Sequence, residues 1–280
     1  MKVLVTGATG YMAPHLLDRL ARDGHEGIAL GHDPSRMPAG IVVDLTSPLD
    51  DEAIPAFDAV VHLAQANVPF PDGSRDLFRV NVASTQELLD LARRRAASRF
   101  VYASSGSVYG LGEGAVAEDD PRRADDYYAV TKRAGELVVG AYRDHVGTSI
   151  LRFFAPYGPG QVKRLIPGLI ARVSNGEAVT LRGGGRPRMT PVYVDDAVEA
   201  IVRSLESDDH VVVNVAGDET ASIADLAEKI GAAVGREPVF EDGGGDSPGD
   251  LIASNDRLHA LLRDRRLVTL DEGLRRTVEA

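Results

Sequence analysis

The chain has no cysteine and no tryptophan among its 280 residues. Without thiols there is no disulfide frame, no thiolate nucleophile and no thiolate metal site. The seven histidines are scattered and show no metal-ligand spacing, so no metal is expected. No apolar run reaches membrane length. The sequence enters Lys2-Val-Leu-Val-Thr6 directly, without a signal-peptide pattern, so a soluble cytoplasmic protein without a membrane partner is expected. Positive charge is in deficit: the net charge of −11 argues against nucleic-acid binding. Internal repeats, low-complexity tracts and long linkers are lacking too. The length fits one large α/β domain, or a large domain with a small second lobe.

Lysine is the scarcest charged residue, with 4 against 27 arginines. Where only positive charge is wanted, this chain uses arginine, so each lysine invites a specific reason. One is Lys132, four positions after Tyr128 in a stretch from Asp125 to His145 whose apolar residues recur at helical spacing. Residues four apart share a helical face. An ammonium beside a phenol stabilises the phenolate and draws the tyrosine down from its usual pKa of ~10. Such a tyrosine exchanges a proton with an alcohol or ketone. Ser105 upstream is the candidate to hold the same oxygen.

At the amino end, an apolar strand from Lys2 to Thr6 meets Gly7-Ala-Thr-Gly10-Tyr-Met-Ala13, then a helix from Pro14 to Asp23. Strand, glycine turn and helix in this order suit a pyrophosphate, which needs close backbone approach and a helix amino end. Glu26–Leu30 reads as the second strand. An acidic residue at its end would select NAD, but Gly31 stands there. Asp33 could reach a ribose, and His32 or Arg36 could instead meet a 2′-phosphate, so NADP is not excluded. Further strands are expected at Ile41–Val43, Asp58–Ala64, Arg99–Ala103, Thr148–Phe154, Ala178–Arg182, Val192–Val194 and Val211–Val215. Helices are expected at Ser74–Arg95, Leu165–Val173, after an Asp195 cap, and at Ile223–Val234, Asn255–Asp264 and Leu270–Val278. Asp44 reads as an adenine contact or a turn cap, His62 as a satisfied core histidine, and Asn81 as a bridge to the active site. Ser104 and Ser107 read as turn residues, Arg93-Arg94-Arg95 as a solvated helix end, and Glu118–Pro121 as a solvated loop. Alternating strands and helices give a doubly wound parallel α/β sheet. A dinucleotide-binding domain spans residues 1–155, with 192–215 returning to it. Residues 156–191 and 216–280 form a small, mostly carboxy-terminal substrate lobe.

These motifs together resemble the extended short-chain dehydrogenase/reductase superfamily, in its NAD-dependent epimerase/dehydratase family. The residues that carry the likeness are Thr6-Gly7-x-x-Gly10-x-x-Ala13, Asp44-Leu45, His62-Leu-Ala64, Asn81-Val82, Ser104-Ser105-x-x-Val-Tyr109-Gly110 and Tyr128-x-x-x-Lys132-x-x-x-Glu136. Leu151-Arg-Phe-Phe154, Tyr157-Gly-Pro-Gly160, Tyr193-Val-Asp-Asp196 and Glu272-Gly-Leu274 extend it over nearly the whole chain. The resemblance implies a Rossmann-type fold, an NAD cofactor and Tyr128 as the proton-transfer residue. It implies that Lys132 also holds the nicotinamide ribose and that Ser105 holds the substrate oxygen. Gly7, Gly10, Tyr11 and Met12 would meet the pyrophosphate, and His32, Asp33, Asp44 and Leu45 the adenosine side. Leu63, Ala64, Gln65, Asn81 and Phe154 would line the cofactor. It also implies a homodimer, paired through helices around 75–95 and 127–145.

The candidate substrate contacts are Asn67, Ser105, Ala155, Arg182 and Arg188. Here the pattern is broken. Ala155 stands where the family's nucleotide-sugar enzymes usually have asparagine, and Met189 where a phosphate-binding arginine is expected. In Ser247-Pro-Gly-Asp250, Ser247 stands where an arginine often precedes Pro-Gly-Asp in the family. The leading expectation is hydride transfer at a secondary alcohol or ketone of a sugar or nucleotide sugar. A ketone reductase or uronate-type dehydrogenase on a smaller substrate is the alternative within enzymes. A non-catalytic nicotinamide redox sensor is the alternative outside them.

Overall fold

The computed structural model describes residues 1–280 apart from Pro38, Asp208, Ser247, Pro248 and Asp264. The strands are β1 Lys2–Thr6, β2 Glu26–Gly31, β3 Ile41–Val42, β4 Ala59–His62, β5 Arg99–Ser105, β6 Ala115–Val116, β7 Gly147–Phe153, β8 Ala178–Arg182, β9 Val211–Val215, β10 Val239–Gly244 and β11 Ile252–Ala253. The α-helices are α1 Met12–Arg22, α2 Ser74–Phe78, α3 Ser84–Arg94, α4 Tyr127–Ala141, α5 Leu165–Asn175, α6 Val194–Glu206, α7 Ile223–Val234, α8 Asp256–Leu261 and α9 Leu270–Glu279. Seven strands form a parallel Rossmann-type sheet in the order β3-β2-β1-β4-β5-β7-β9. The order reverses between β1 and β4, where Val5 lies beside Val61 and Thr6 beside His62. Ligands of such sheets sit beyond the carboxyl ends of the strands at this reversal.

The strands read as continuous apolar runs because helices cover both faces. Leu4, Leu30, Val60, Phe100 and Tyr102 pack with Leu88, Leu89 and Ala92 of α3 and Val139 of α4 in one buried cluster. Helix α1 buries Ala13, Leu16 and Leu20, one stripe of an amphipathic helix. Among the described residues, no helix is long and apolar enough to cross a membrane.

Two compact units emerge. The first takes residues 1–110, 121–152 and 198–213; the second takes 111–120, 153–197 and 214–280. Residues 111–120 join the second unit because β6 pairs with β11 and Gly112 with Asp250. The second unit also pairs β10 with β8, both parallel pairs being absent from the sequence reading.

Several local expectations change. Val192–Val194 is not a strand: Tyr193 makes only an isolated bridge to Tyr157, and α6 already begins at Val194, so Asp195 lies in its first turn and is not its cap. The helix expected over Ser74–Arg95 is broken by a π-helical turn at Arg79–Ala83. Arg95 is not a solvated helix end, because its guanidinium donates to the carbonyls of Asp51, Ile54 and Pro55. Nor is Glu118 solvated: it is buried and accepts from the Asn214 backbone at 2.7 Å.

Candidate active site

The glycine turn is tightly built. Gly7 has φ +68°, and a Cβ there would lie 2.7 Å from the Ala64 backbone nitrogen. Only glycine tolerates both the left-handed backbone and this approach. The Gly10 N–H closes the turn on the Gly7 carbonyl at 2.8 Å. Helix α1 then begins beside Tyr11 and Met12, and no side chain caps it. Its first N–H groups therefore face outward with the positive end of the helix dipole. From the neighbouring strand end, Ala64 N–H donates to Thr6 Oγ1, and Leu63 is half-buried.

His62 is wholly buried between Thr6 Oγ1 at 2.7 Å and Thr85 Oγ1 at 3.0 Å. Burial, aided by the charge of Lys132, lowers its pKa to about 3, so it is a neutral core histidine as expected. At the β2 end, a Cβ on Gly31 would meet Thr9 Cγ2 at 3.0 Å, so this position packs on the glycine turn. His32 lies 3.3 Å from Thr9 Oγ1. Asp33 and Asp44 both cap turns through one oxygen, onto Ser35 and Thr46 respectively. Leu45 beside Asp44 is buried.

Tyr128 sits in the first turn of α4, which Asp126 caps by accepting from Ala129 N–H at 2.7 Å. Its hydroxyl donates to Gln65 Oε1 at 2.7 Å. Lys132, one turn on, is fully buried; its ammonium donates to the Ala103 carbonyl and lies 4.6 Å from the Tyr102 ring centroid. Burial lowers the lysine to about 7, opposed by Glu136. The helix comes this close because Gly135 faces β5, where a Cβ would collide with the Tyr102 hydroxyl at 2.2 Å. Ser105 ends β5 and accepts from both N–H and Oγ of Ser107, at 3.1 and 2.9 Å. With both lone pairs engaged, its hydroxyl can act only as a donor towards a further group.

Asn81 occupies the π turn and is fully buried. It exchanges two hydrogen bonds with Ala66, accepting at 2.8 Å and donating at 3.0 Å, and donates to Thr131 Oγ1 at 3.0 Å. Thr131 Oγ1 in turn donates to the Tyr128 carbonyl at 2.8 Å. The extra residue of a π turn aims Asn81 where an α-helix would not.

Ser104 is no turn residue. It donates to Glu136 Oε1 at 2.7 Å, inside a network that sequence reasoning missed. Arg152 grips both Glu136 oxygens at 2.7 and 2.9 Å, with both side chains 1% exposed, and donates to the Tyr109 hydroxyl at 2.6 Å. Arg133 adds a bond at 2.9 Å. Burial pushes Glu136 up, but these donors outweigh it and hold the carboxyl below its ordinary value. The signal available was Glu136 four positions after Lys132.

In the second unit, Met189 is held by backbone bonds to Ala221 in both directions, its side chain buried. Arg188 donates through Nε and Nη2 to Asp250 at 3.0 and 2.7 Å, and Arg186 adds Nη1 at 3.2 Å. Arg182 is exposed. Phe154 is buried, and the exposed Ala155 has φ +40°, a left-handed backbone uncommon in residues other than glycine. Asn67 is exposed in the loop after β4, and Ser247 lies outside the described residues. Among the described residues, no cluster of three or more His, Asp or Glu could hold a metal ion.

A glycine turn at the sheet's reversal, with tyrosine, lysine and serine on the adjoining helix and strand, defines an oxidoreductase of the dinucleotide-dependent, extended short-chain type. The chain belongs to the NAD-dependent epimerase/dehydratase family, whose model matches residues 3–216. It is 30% identical to a dTDP-4-dehydro-6-deoxy-D-allose reductase of Streptomyces bikiniensis, over 98% of this chain and 93% of that protein. Among solved structures it is similar to MoeE5 in complex with UDP-glucuronic acid and NAD, at 29% identity and TM-score 0.88, covering 100% of this chain and 98% of that one. A UDP-glucuronic acid 4-epimerase from Bacillus cereus, in complex with UDP-glucuronic acid and NAD, matches at 25% identity and TM-score 0.87, with the same coverage.

Proposed function

We propose that this protein is an NAD-dependent sugar epimerase or dehydratase that begins by oxidising a secondary alcohol of a sugar or nucleotide sugar. The observation that carries the reading is the placement of Tyr128, Lys132 and Ser105 in the same unit as the Gly7 turn. The uncapped first turn of α1 fits a dinucleotide's pyrophosphate, with Tyr11 and Met12 contributing backbone donors. Asp33 and Asp44 each keep one carboxylate oxygen off the turn they cap, suited to the adenosine hydroxyls and amino group. Bound NAD supplies the hydride acceptor. Tyr128 takes the hydroxyl proton as the carbon is oxidised and returns a proton when the ketone is reduced. Ser105 donates a hydrogen bond to the same oxygen. Lys132 favours the phenolate by its charge, and Asn81 fixes the backbone of both Tyr128 and the loop after β4.

The solved relatives and the shared family support NAD as cofactor and sugars carried on UDP or dTDP as first candidates. The test is to mix the NAD-loaded protein with UDP- and dTDP-sugars and follow nicotinamide reduction and product stereochemistry. Transient reduction followed by return to NAD supports the reading. Accumulation of reduced cofactor with an oxidised product would instead identify a simple dehydrogenase.

We also infer a homodimer. Val130 and Leu137 on α4 are 46% and 60% exposed, and Phe78 on α2 is 51% exposed. Val130, Ala134, Leu137 and Ala141 fall on one helical face, an apolar stripe that a second copy would cover.

A further inference from the structure

The Tyr128 hydroxyl meets a residue that the proton-transfer scheme does not use. Gln65 lies in the exposed loop after β4, yet its contact with Tyr128 belongs to a closed circuit. Its neighbour Ala66 is clamped to Asn81 by two hydrogen bonds. Asn81 holds Thr131, and Thr131 holds the Tyr128 carbonyl. Tyr128 is therefore tied at its backbone and at its hydroxyl to the same short stretch of loop. Next door, Phe70 of this loop stacks on Tyr127 with ring centroids 4.7 Å apart. Such a circuit fixes the backbone from which Gln65 reaches the phenol, although the residue itself is exposed.

A carboxamide is unusual among side chains in carrying an acceptor and two donors on one planar group. Its oxygen accepts a hydrogen bond from the phenol, and after a half-turn its nitrogen can donate one to the phenolate. A carboxylate serves only the protonated state, and an apolar side chain serves neither. We propose that Gln65 is a positioning residue for the catalytic tyrosine, whose amide partners the Tyr128 oxygen in both protonation states and keeps it aimed between turnovers. The proposal rests on Tyr128 being the acid/base. Of the titratable groups nearby, Tyr102 on β5 interacts electrostatically with Tyr128, and Lys132 lies one turn on along the same helix. Gln65 is a neutral partner of the hydroxyl. This suits a reaction that needs the tyrosine first as base and then as acid: a partner that favoured one state would slow the other half.

The test is a spectrophotometric titration of phenolate in the NAD-loaded protein. Subtracting the Tyr128→Phe titration isolates Tyr128 from the other seven tyrosines. In Gln65→Glu, a carboxylate at hydrogen-bond distance should raise the Tyr128 midpoint by about one pH unit, a tenfold gain in proton affinity. In Gln65→Met, both states lose their partner and the midpoint should move less than half as far. Unchanged midpoints in both variants, or equal shifts, would overturn the proposal. A wild-type Tyr128 that titrates at the ordinary value would count against its acid/base role, while the difference between wild type and Gln65→Glu would still decide the Gln65 contact.

Discussion

Replacing Glu136 by glutamine is the sharpest test of how the site is held. The carboxylate accepts four hydrogen bonds, from Arg152 twice, Arg133 and Ser104. Glutamine keeps the shape but removes the charge, and presents two N–H donors where the guanidinium groups of Arg152 and Arg133 can only donate. Arg152 is 1% exposed, so its buried guanidinium loses the carboxylate that balances its charge. Breaking such a pair from one side costs about 3–5 kcal/mol. Arg133 is 32% exposed and adds little, at most ~1 kcal/mol. The assay is urea unfolding of wild type, Glu136→Gln and the double variant Glu136→Leu/Arg152→Leu. The double variant should recover most of the loss, because two apolar side chains leave no orphaned charge. The effect should also depend on pH. Since the folded carboxyl sits below its ordinary 4.5, its contribution is complete above that value and is lost as pH falls through the folded pKa. The gap between wild type and Glu136→Gln should therefore close in acid. A loss below about 1 kcal/mol at neutral pH, or a gap that persists at low pH, would refute the reasoning.

Gly7→Ala should abolish NAD binding or folding of the turn, since its Cβ meets backbone that cannot yield; NAD titration by calorimetry checks this, and unchanged affinity would contradict it. Asp250 engages both Arg186 and Arg188, and Met189 offers no donor, so UDP alone should bind weakly, with Kd above about 100 μM. Asp250→Asn should tighten it by at least about tenfold by releasing the guanidinium groups; micromolar UDP binding to wild type would refute this. Leu137→Glu should convert a dimer to a monomer in sedimentation velocity, and a wild-type monomer would remove the apolar stripe's explanation.

What was legible in the sequence was local. The β1–turn–α1 unit announces itself through Gly7 and Gly10, because a positive φ and a close backbone approach admit few residues. Tyr128 and Lys132 were readable from a spacing of four and from the scarcity of lysine. What escaped reading depends on distant partners. The π turn at Arg79–Ala83 exists where Asn81 must reach Ala66 and Thr131, and nothing in its own residues marks the break. Ser104 looked like a turn residue until Glu136, thirty-two positions on, supplied its acceptor. The pairs β6–β11 and β8–β10 join segments far apart in the chain, and the two-residue strands β6 and β11 have no periodicity to detect. Val192–Val194 carried β-branched residues but forms no strand, and its last residue opens α6, an instance of tertiary context overriding propensity.

The central claim is that Tyr128 transfers the proton while hydride moves to NAD. It is tested most directly by turnover of Tyr128→Phe beside wild type, on whichever UDP- or dTDP-sugar the wild type converts, with NAD affinity measured in parallel. The account predicts a fall in turnover of about 10²–10⁴-fold with NAD affinity preserved. Near-normal turnover in a folded, NAD-binding variant would contradict it.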